Sequence, residues 1–278
     1  MIAAFISAIS NAAETIFDKA IMGEKNMTGL RLVKIAFVFV SIWMFIPMLL
    51  WGSIKPEFFS AFYLGIFGIM IVFSILHNLL YFTAFEKKDV CEVEPIALLT
   101  TPITILLAML FFANERNYLI FVITIVATVV LLLSRLEKKH LDFDKYSLYI
   151  LGHDIFIALE AVLIKYLLNV TNAVSLYGIR ALVLAVLFLF VLWKINFKKV
   201  PKKEFGQLFL VQGIVSLEFV ARFFAIGYIG IVKTSLILLL GPILILLFSR
   251  LFLKEKITIR RGIGDAIIIL LVAVTIFI

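Results

Sequence analysis

Ten apolar stretches, joined by short connections, make up nearly all of this 278-residue chain. Each is long enough to cross a bilayer, which takes about 20 residues of helix. They cover residues 1–22, 31–51, 58–85, 90–113, 117–134, 146–169, 173–193, 203–228, 231–253 and 259–278. Backbone groups in lipid must be satisfied within a helix or a closed barrel, and barrel strands would alternate in polarity. The continuous apolar runs therefore predict an all-α integral membrane protein with ten transmembrane helices.

Basic residues lie mostly in the odd-numbered connections between these stretches. Thirteen of the 26 Lys and Arg fall there and three more, Lys203, Arg260 and Arg261, lie just beyond the ends of these connections, whereas the even-numbered connections hold only Lys55 and Arg116. Because cytoplasmic loops are enriched in Lys and Arg, we expect these odd-numbered connections in the cytoplasm and both termini outside. This places the chain in the cytoplasmic (inner) membrane of a prokaryote. The net charge of +8 is then typical of contact with anionic lipid headgroups, and we expect no nucleic-acid partner.

Two sets of polar and helix-breaking residues repeat along the chain. In the first set, Glu14, Lys19, Asn26 and Lys34 recur 146 positions later as Glu160, Lys165, Asn172 and Arg180. In the second set, Pro102 and Glu115 recur 140 positions later as Pro242 and Glu255. Both prolines fall within apolar stretches, where a proline removes a backbone hydrogen bond, so we expect them to kink their helices. Repeated polar groups inside apolar helices are typical of membrane transporters.

A charged connection divides the chain into two halves of five stretches each. It spans residues 136–145, between a first repeat at 1–135 and a second repeat at 146–278. Since five helices cross the membrane an odd number of times, the second repeat must run inverted relative to the first. In such an architecture the substrate site is expected near the membrane midplane, between the repeats.

Acidic residues in the first and sixth stretches are candidates for a substrate or coupling site. Asn11, Glu14 and Asp18 share one helix face, which either lines a translocation pathway or pairs structurally with groups such as Lys34. A charged carboxylate at the bilayer centre costs about 2.5–3.5 kcal/mol. Glu14 and Glu160 must therefore either be neutralised by basic neighbours or bind a proton or a cationic substrate.

Four basic residues are candidates for charge partners or gating. Lys19 and Lys165 lie near helix ends, where long side chains usually extend to the membrane surface. Lys34 and Arg180 lie deeper, where they could orient an anionic substrate group or gate a cavity.

The third and eighth stretches carry a further pair of polar faces. His77 and Tyr81 share a face of the third stretch and are candidates for the central cavity. Glu218 and Arg222 take the corresponding places in the eighth stretch, and their spacing of four predicts an intrahelical ion pair. No catalytic motif or metal-ligand spacing is present in the sequence, so we expect neither an enzyme nor a metal or other cofactor.

The two segments from Pro102 to Glu115 and from Pro242 to Glu255 resemble the drug/metabolite transporter superfamily, in its EamA-type branch. Repeats of that family typically end with a proline, an apolar run, a Gly-Glu-Arg-like turn and a glycine in the last helix. Gly262 fits the last position of the second half, whereas Val122 stands in the first, and Asn114 and Lys254 replace the turn glycine.

Two basic residues of the second half also resemble the family pattern. Lys165 is similar to the lysine that often ends a repeat's first helix, and Arg180 to the arginine near the start of the second. The resemblance implies a basket of ten helices, built as two inverted repeats, that moves small organic solutes by alternating access, often as an exporter. It also implies cytoplasmic termini, which is the alternative to the orientation expected from the basic connections. Glu14 and Glu160 are not part of that pattern, so they are the candidates for what is particular to this chain.

We therefore expect a secondary transporter of a small charged or zwitterionic metabolite, either amino-acid-like or an organic cation. Coupling to protons through the central glutamates is one option. A lipid or lipid-linked-sugar flippase component, or a non-transporting membrane interaction protein with the same fold, is the alternative. The expected partners are a small-molecule substrate, the lipid bilayer and protons, and the expected assembly is a monomer or a homodimer.

Overall fold

A computed structural model of the chain describes residues 1–22, 28–88, 93, 96–135, 144–194, 202–253 and 259–276. Within these ranges it contains ten α-helices. They are α1 (Ile2–Met22), α2 (Gly29–Trp51), α3 (Ala61–Phe85), α4 (Thr100–Phe111), α5 (Tyr118–Arg135), α6 (Lys145–Leu167), α7 (Ala173–Val191), α8 (Lys202–Leu238), α9 (Gly241–Leu253) and α10 (Ile259–Ile276). Every predicted apolar stretch contains one of these helices. The β-structure of the described residues is limited to one isolated bridge, between Ile54 and Thr171.

Five of the helices, α2, α3, α6, α7 and α8, are long and apolar enough to cross a membrane. Three shorter apolar segments lie in α4, α5 and α10. Side-chain caps fix several helix starts, as the sequence requires. Asn172 accepts a hydrogen bond from the backbone N–H of Ser175 at 2.9 Å, and Asp144 accepts one from Ser147 at 2.9 Å.

The helices of the first five pack mainly against helices of the last five. α1 packs against α8 and α9, α6 packs against α3 and α4, and α2 packs against α7. If the two halves are aligned in order, α1 corresponds to α6 and α3 to α8. The α1–α8 and α3–α6 contacts are then counterparts of each other.

Contacts between connections sort them to the two ends of the helix bundle. At one end, the Glu86 carboxylate accepts a hydrogen bond from the Gly29 backbone N–H at 3.1 Å, and Lys88 forms an ion pair with Asp144. At the other end, the Lys55 backbone N–H donates to the Val170 carbonyl at 2.8 Å. The connections after α1, α3 and α5 thus share one end, and those after α2 and α6 share the other.

Two helices begin inside the predicted fourth and ninth stretches rather than running through them with a kink. α4 starts at Thr100 and α9 at Gly241, each directly after a turn in which the hydrogen bond spans three residues. Pro102 and Pro242 lie in the first turn of these helices, where a proline's missing N–H costs no intrahelical bond. The interruptions expected at Pro102 and Pro242 therefore take the form of a helix start just before each proline rather than a kink within a continuous helix.

A third interruption lies in α8. Gly230 has φ +85° and ψ 171°, a backbone region that residues with a Cβ rarely adopt. It divides α8 into a long segment before residue 230 and a short one after it. The predicted boundary between the eighth and ninth stretches falls at this glycine.

Candidate functional site

A cavity of about 320 Å³ lies among α1, α2, α3, α6, α7 and α8. Predicted site residues form much of its lining. They are Asn11, Glu14, Asp18, His77, Tyr81, Arg180, Glu218, Arg222 and Pro242. Apolar and aromatic side chains such as Phe37 and Phe85 complete the wall. The cavity has the size and composition of a small-molecule site, with a few polar groups set in an apolar surround.

The two broken helices open onto this cavity. Leu98 and Thr100 line it at the start of α4, and Leu239 and Pro242 line it at the start of α9. Irregular backbone at membrane depth is tolerated where it is buried in protein or lines a cavity, because lipid satisfies none of its polar groups. Broken helices that face a central cavity are typical of substrate sites in transporters.

Glu160 is held in a buried group of side chains that we call the Glu160 cluster, made of Ser74, His77, Glu160 and Arg180. The Arg180 Nε lies 2.6 Å from Glu160 Oε1, and the Ser74 hydroxyl donates to the same oxygen at 2.5 Å. His77 Nε2 lies 2.8 Å from the other oxygen, Oε2. Both carboxylate oxygens are thus engaged, and Glu160 and Arg180 are each only 2% exposed.

The Glu160 cluster joins helices from both halves of the chain. Ser74 and His77 lie on α3, Glu160 on α6 and Arg180 on α7. Of the two resolutions open for a membrane carboxylate, Glu160 takes neutralisation by a basic neighbour. Glu160 is not among the residues that line the cavity, whereas Arg180 and His77 present part of their surface to it.

Glu218 and Arg222 form the predicted ion pair within α8. The Ser7 hydroxyl of α1 also donates to Glu218 Oε1, at 3.3 Å. The second oxygen, Oε2, is buried and has no hydrogen-bond partner in the structure. Glu218 is fully buried and is one of the residues that line the cavity.

Glu14 and Asp18 lie on the side of the cavity formed by α1. Glu14 interacts electrostatically with Glu218, Asp18 and Arg222, and makes no hydrogen bond or ion pair with any described residue. Asp18 Oδ1 is buried without a hydrogen-bond partner. We call Glu14, Asp18 and Glu218 the acidic wall. Among the described residues, the guanidinium of Arg222 forms an ion pair with one of these carboxylates, that of Glu218.

A stacked aromatic pair lies beside both charged groups. The rings of Tyr177 and Phe219 are parallel to within 6° at a centroid distance of 5.2 Å, and both line the cavity. The Arg180 guanidinium carbon lies 5.5 Å from the Phe219 ring centroid and that of Arg222 lies 5.0 Å from it. Phe219 therefore lies at cation–π distance from both Arg180 of the Glu160 cluster and Arg222, the ion-pair partner of Glu218.

Lys34 and Lys165 have partners that the sequence did not indicate. Lys34 Nζ donates to the Leu192 carbonyl at the end of α7, at 2.9 Å, and does not line the cavity. Lysine is favourable there because helix C-termini carry partial negative charge. Lys165 forms an ion pair with Glu115, which fits the role of a charge partner rather than that of a side chain extended to the membrane surface.

Glu115 also caps the helix segment that follows Gly230. Its carboxylate accepts hydrogen bonds from the backbone N–H groups of Ile231, at 2.9 Å, and Val232, at 3.1 Å. A Cβ on Gly230 would clash with the Glu115 carboxylate, so a larger residue there would require that carboxylate to move. A carboxylate at a helix N-terminus is stabilised by the unpaired N–H groups there.

One buried acidic group beside the cavity was not among the predicted site residues. Asp154 of α6 is fully buried, and the Thr100 hydroxyl donates to its Oδ1 at 2.5 Å. Its Oδ2 has no hydrogen-bond partner in the structure. Asp154 has no counterpart at the 146-residue spacing, where Ala8 stands, so the repeat that led to Glu14 and Glu160 could not reveal it.

Some predicted positions lie outside what the structure describes. These are the Lys19 side chain, Asn26, Glu255 and most of the 136–145 connection. Within the described residues, no group of three or more His, Cys, Asp or Glu side chains could hold a metal ion.

Comparisons with known proteins locate the chain among transporters. Residues 144–277 match the model of the EamA-like transporter family. A solved structure, described only as the crystal structure of a protein, superposes with a TM-score of 0.79 at 16% sequence identity. The match covers 99% of this chain and 96% of that one, and at this identity it shows the fold alone. No curated protein matches the sequence.

Proposed function

We propose that this chain, whose residues 144–277 match the EamA-like transporter family, moves a small charged or zwitterionic solute across the cytoplasmic membrane by alternating access. The observation that carries the proposal is the central cavity of about 320 Å³ and its acidic wall. A cavity of this size takes a solute of amino-acid dimensions. Buried charges at membrane depth are costly and are usually kept for a functional reason.

We propose that the two halves are inverted repeats, with the cavity at their interface. Three features support this arrangement. The α1–α8 contact in one half has the α3–α6 contact as its counterpart in the other. The helix starts at Thr100 and Gly241 recur at nearly the same spacing as the two prolines. In addition, the contacts between odd-numbered connections lie at one end of the bundle, and the contact between even-numbered connections lies at the other end. Rocking of one repeat against the other would then expose the cavity to each side in turn.

The candidate site residues divide into binding and structural roles. Glu14, Asp18 and Glu218, with Asn11 beside them on α1, would contact the solute, while Tyr81 and His77 form the opposite polar surface. The Glu160 cluster would hold α3, α6 and α7 together rather than bind solute, because its ionic groups already satisfy one another. Of the two central glutamates, Glu14 is therefore the one available to exchange a proton or a cation.

The orientation follows from the basic connections, which would face the cytoplasm. Single cysteines at Lys55 and Lys87, in a variant whose native Cys91 is replaced by alanine, test this directly. We expect a membrane-impermeant thiol reagent to label the cysteine at position 55 from outside intact cells and to leave position 87 unlabelled.

A ligand screen followed by flux measurements tests the transport function. Purified protein is scanned for thermal stabilisation by amino acids, organic cations and organic anions at an acidic and a neutral pH, since a ligand that binds the folded state raises its apparent stability. The best ligand is then followed by counterflow in proteoliposomes for the wild type, Glu14→Gln, Glu160→Gln and the surface control Glu57→Gln.

We expect Glu14→Gln to lose flux or its pH dependence, while Glu57→Gln behaves like the wild type. Flux that keeps its rate and its pH dependence in both Glu14→Gln and Glu160→Gln would contradict the roles assigned to these residues. Absence of counterflow for every ligand that stabilises the protein would contradict transport itself.

A further inference from the structure

We infer that the acidic wall receives a cationic group of the solute that carries N–H donors, a guanidinium or a primary ammonium, between Glu14 and Glu218. This inference rests on the proposed transport function and specifies the charge of the solute. It derives from a difference between two positions that correspond in the two halves. Glu160 is paired with the guanidinium of Arg180, whereas Glu14 has no guanidinium at the corresponding position.

The correspondence is defined by sequence offset and by packing. Glu14 corresponds to Glu160 and Lys34 to Arg180, at 146 positions, and His77 corresponds to Glu218, at 141 positions. The helices that carry these residues pack in matching pairs, α6 with α3 and α1 with α8. Even a local contact is repeated. His153 of α6 contacts the His77 carbonyl at 3.1 Å, and Ser7 of α1, its counterpart at 146 positions, contacts the Glu218 side chain at 3.3 Å.

The basic member of the set is used differently in the two halves. Arg180 points its guanidinium at Glu160, with Nε 2.6 Å from Oε1. Lys34 instead directs its ammonium to the Leu192 carbonyl, 2.9 Å away at the end of α7. Glu14 consequently has no basic partner corresponding to Arg180, and the space in front of it belongs to the cavity.

The charges at the cavity wall favour a cation over an anion. The acidic wall contributes three carboxylates, whereas the described lining residues include two guanidinium groups, those of Arg180 and Arg222, and Arg180 is already paired with Glu160. Glu218 Oε2 and Asp18 Oδ1 are both buried without hydrogen-bond partners. A buried acceptor without a donor is costly, so a cation that brings N–H groups would satisfy oxygens that the protein leaves unpaired.

The aromatic pair favours the same class of solute. Phe219 already lies against the guanidinium groups of Arg180 and Arg222, at 5.5 and 5.0 Å. Its stacked partner Tyr177 extends this surface along the cavity. Aromatic faces attract cations, and planar guanidinium groups stack on them.

Three probes that differ in charge and in donor groups test the inference. Benzylguanidinium has a cation with N–H donors, benzyltrimethylammonium has the same charge without donors, and benzoate has the opposite charge. Dissociation constants are measured by calorimetry on purified full-length wild type, Glu14→Gln, Glu218→Gln and Glu57→Gln. The last variant makes the same chemical change on an exposed residue outside the cavity.

We expect benzylguanidinium to bind the wild type saturably and more tightly than either other probe. Its dissociation constant should rise by about tenfold or more in Glu14→Gln and in Glu218→Gln, which is the factor that about 1.4 kcal/mol produces. It should not change in Glu57→Gln. The use of two acidic-wall variants keeps the test decisive if one of them does not fold.

The inference is overturned if benzylguanidinium binds no more tightly than benzoate, or if its affinity is unchanged in both acidic-wall variants. Binding as expected with no counterflow in proteoliposomes would contradict the proposed transport function and leave the cation site standing. Counterflow of an anion through a protein that does not bind benzylguanidinium would contradict the cation site and leave the proposed transport function standing.

Discussion

Lys165 of α6 forms an ion pair with Glu115, the glutamate that follows the proline segment of the first half. The same carboxylate accepts the backbone N–H groups of Ile231 and Val232, so it joins α6 to the segment of α8 beyond Gly230. The Glu115 carboxylate thus serves both as the counter-ion of the Lys165 ammonium and as the acceptor for backbone N–H groups at the interrupted helix end.

Replacing Glu115 with glutamine should destabilise the protein because Lys165, only 18% exposed, loses its counter-ion. Hydrogen bonds to charged groups are worth about 1.5–3 kcal/mol each, so we expect a loss of at least about 2 kcal/mol in the free energy of unfolding. Reversible unfolding in detergent measures the change. The variant Glu115→Gln/Lys165→Met, which removes both charges, should recover part of it. A single variant as stable as the wild type would contradict this account.

Gly230→Ala should be destabilising through its backbone conformation. At φ +85° and ψ 171° a residue with a Cβ is strained by about 1–3 kcal/mol, and the new methyl group would also displace the Glu115 carboxylate. Gly68→Ala is the matched control, because a Cβ there meets nothing within 4 Å and alanine is the better helix former. The melting temperature should fall for the first variant and stay level or rise for the second.

Arg180→Met should lower the free energy of unfolding more than any surface substitution does, because it disrupts the Glu160 cluster. Breaking a buried ion pair by removing one partner costs about 3–5 kcal/mol, because the other charge stays buried and uncompensated. Arg180→Met/Glu160→Gln should regain much of this loss, since no charge is then left alone. Lys194→Met, which removes an exposed basic residue at the end of α7, is the control. Equal stability of Arg180→Met and Lys194→Met would show that the cluster does not hold the helices.

Asp144 should make stability depend on pH in the acidic range. The backbone N–H of Ser147 and then the ammonium of Lys88 lower the pKa of Asp144 from 3.8 to about 2. A lowered pKa in the folded state means that the carboxylate stabilises the fold fully above its unfolded pKa of 3.8, and that this is lost as the pH falls through about 2.

Asp144→Asn keeps a side chain that can cap α6 but cannot ionise, so it isolates this contribution. The wild type should be the more stable at neutral pH, and the difference should disappear as the pH is lowered from about 4 to about 2. Melting temperatures recorded across that range measure it. A difference that is independent of pH would assign the effect to packing rather than to charge.

The sequence predicted the helices well because apolar length is a strong local signal. Every predicted apolar stretch contains a helix, and the spacing of four between Glu218 and Arg222 predicted their ion pair. The sequence predicted helix breaks at Pro102 and Pro242, and in the structure a helix starts just before each of these prolines. A proline is equally compatible with a kink and with a first helical turn, and the preceding turn decides between them.

The partners of the basic residues could not be predicted, because they depend on contacts between distant segments. Lys34 and Arg180 occupy corresponding positions, yet one binds a helix-end carbonyl and the other a carboxylate. Lys165 and Glu115 are 50 positions apart and on different helices, so no periodicity links them. Asp154 and Thr100 likewise meet only when α6 packs against α4.

The capping of the segment after Gly230 by Glu115 also bears on how the chain can be divided. The family match spans residues 144–277, but within that span a helix end depends on Glu115, and Glu160 depends on Ser74 and His77. Polar groups of the matching half therefore have their hydrogen-bond partners in the other half, and they would lack these partners if the matching half were expressed alone. Two fragments cut within the connection would regain these partners only by assembling with each other.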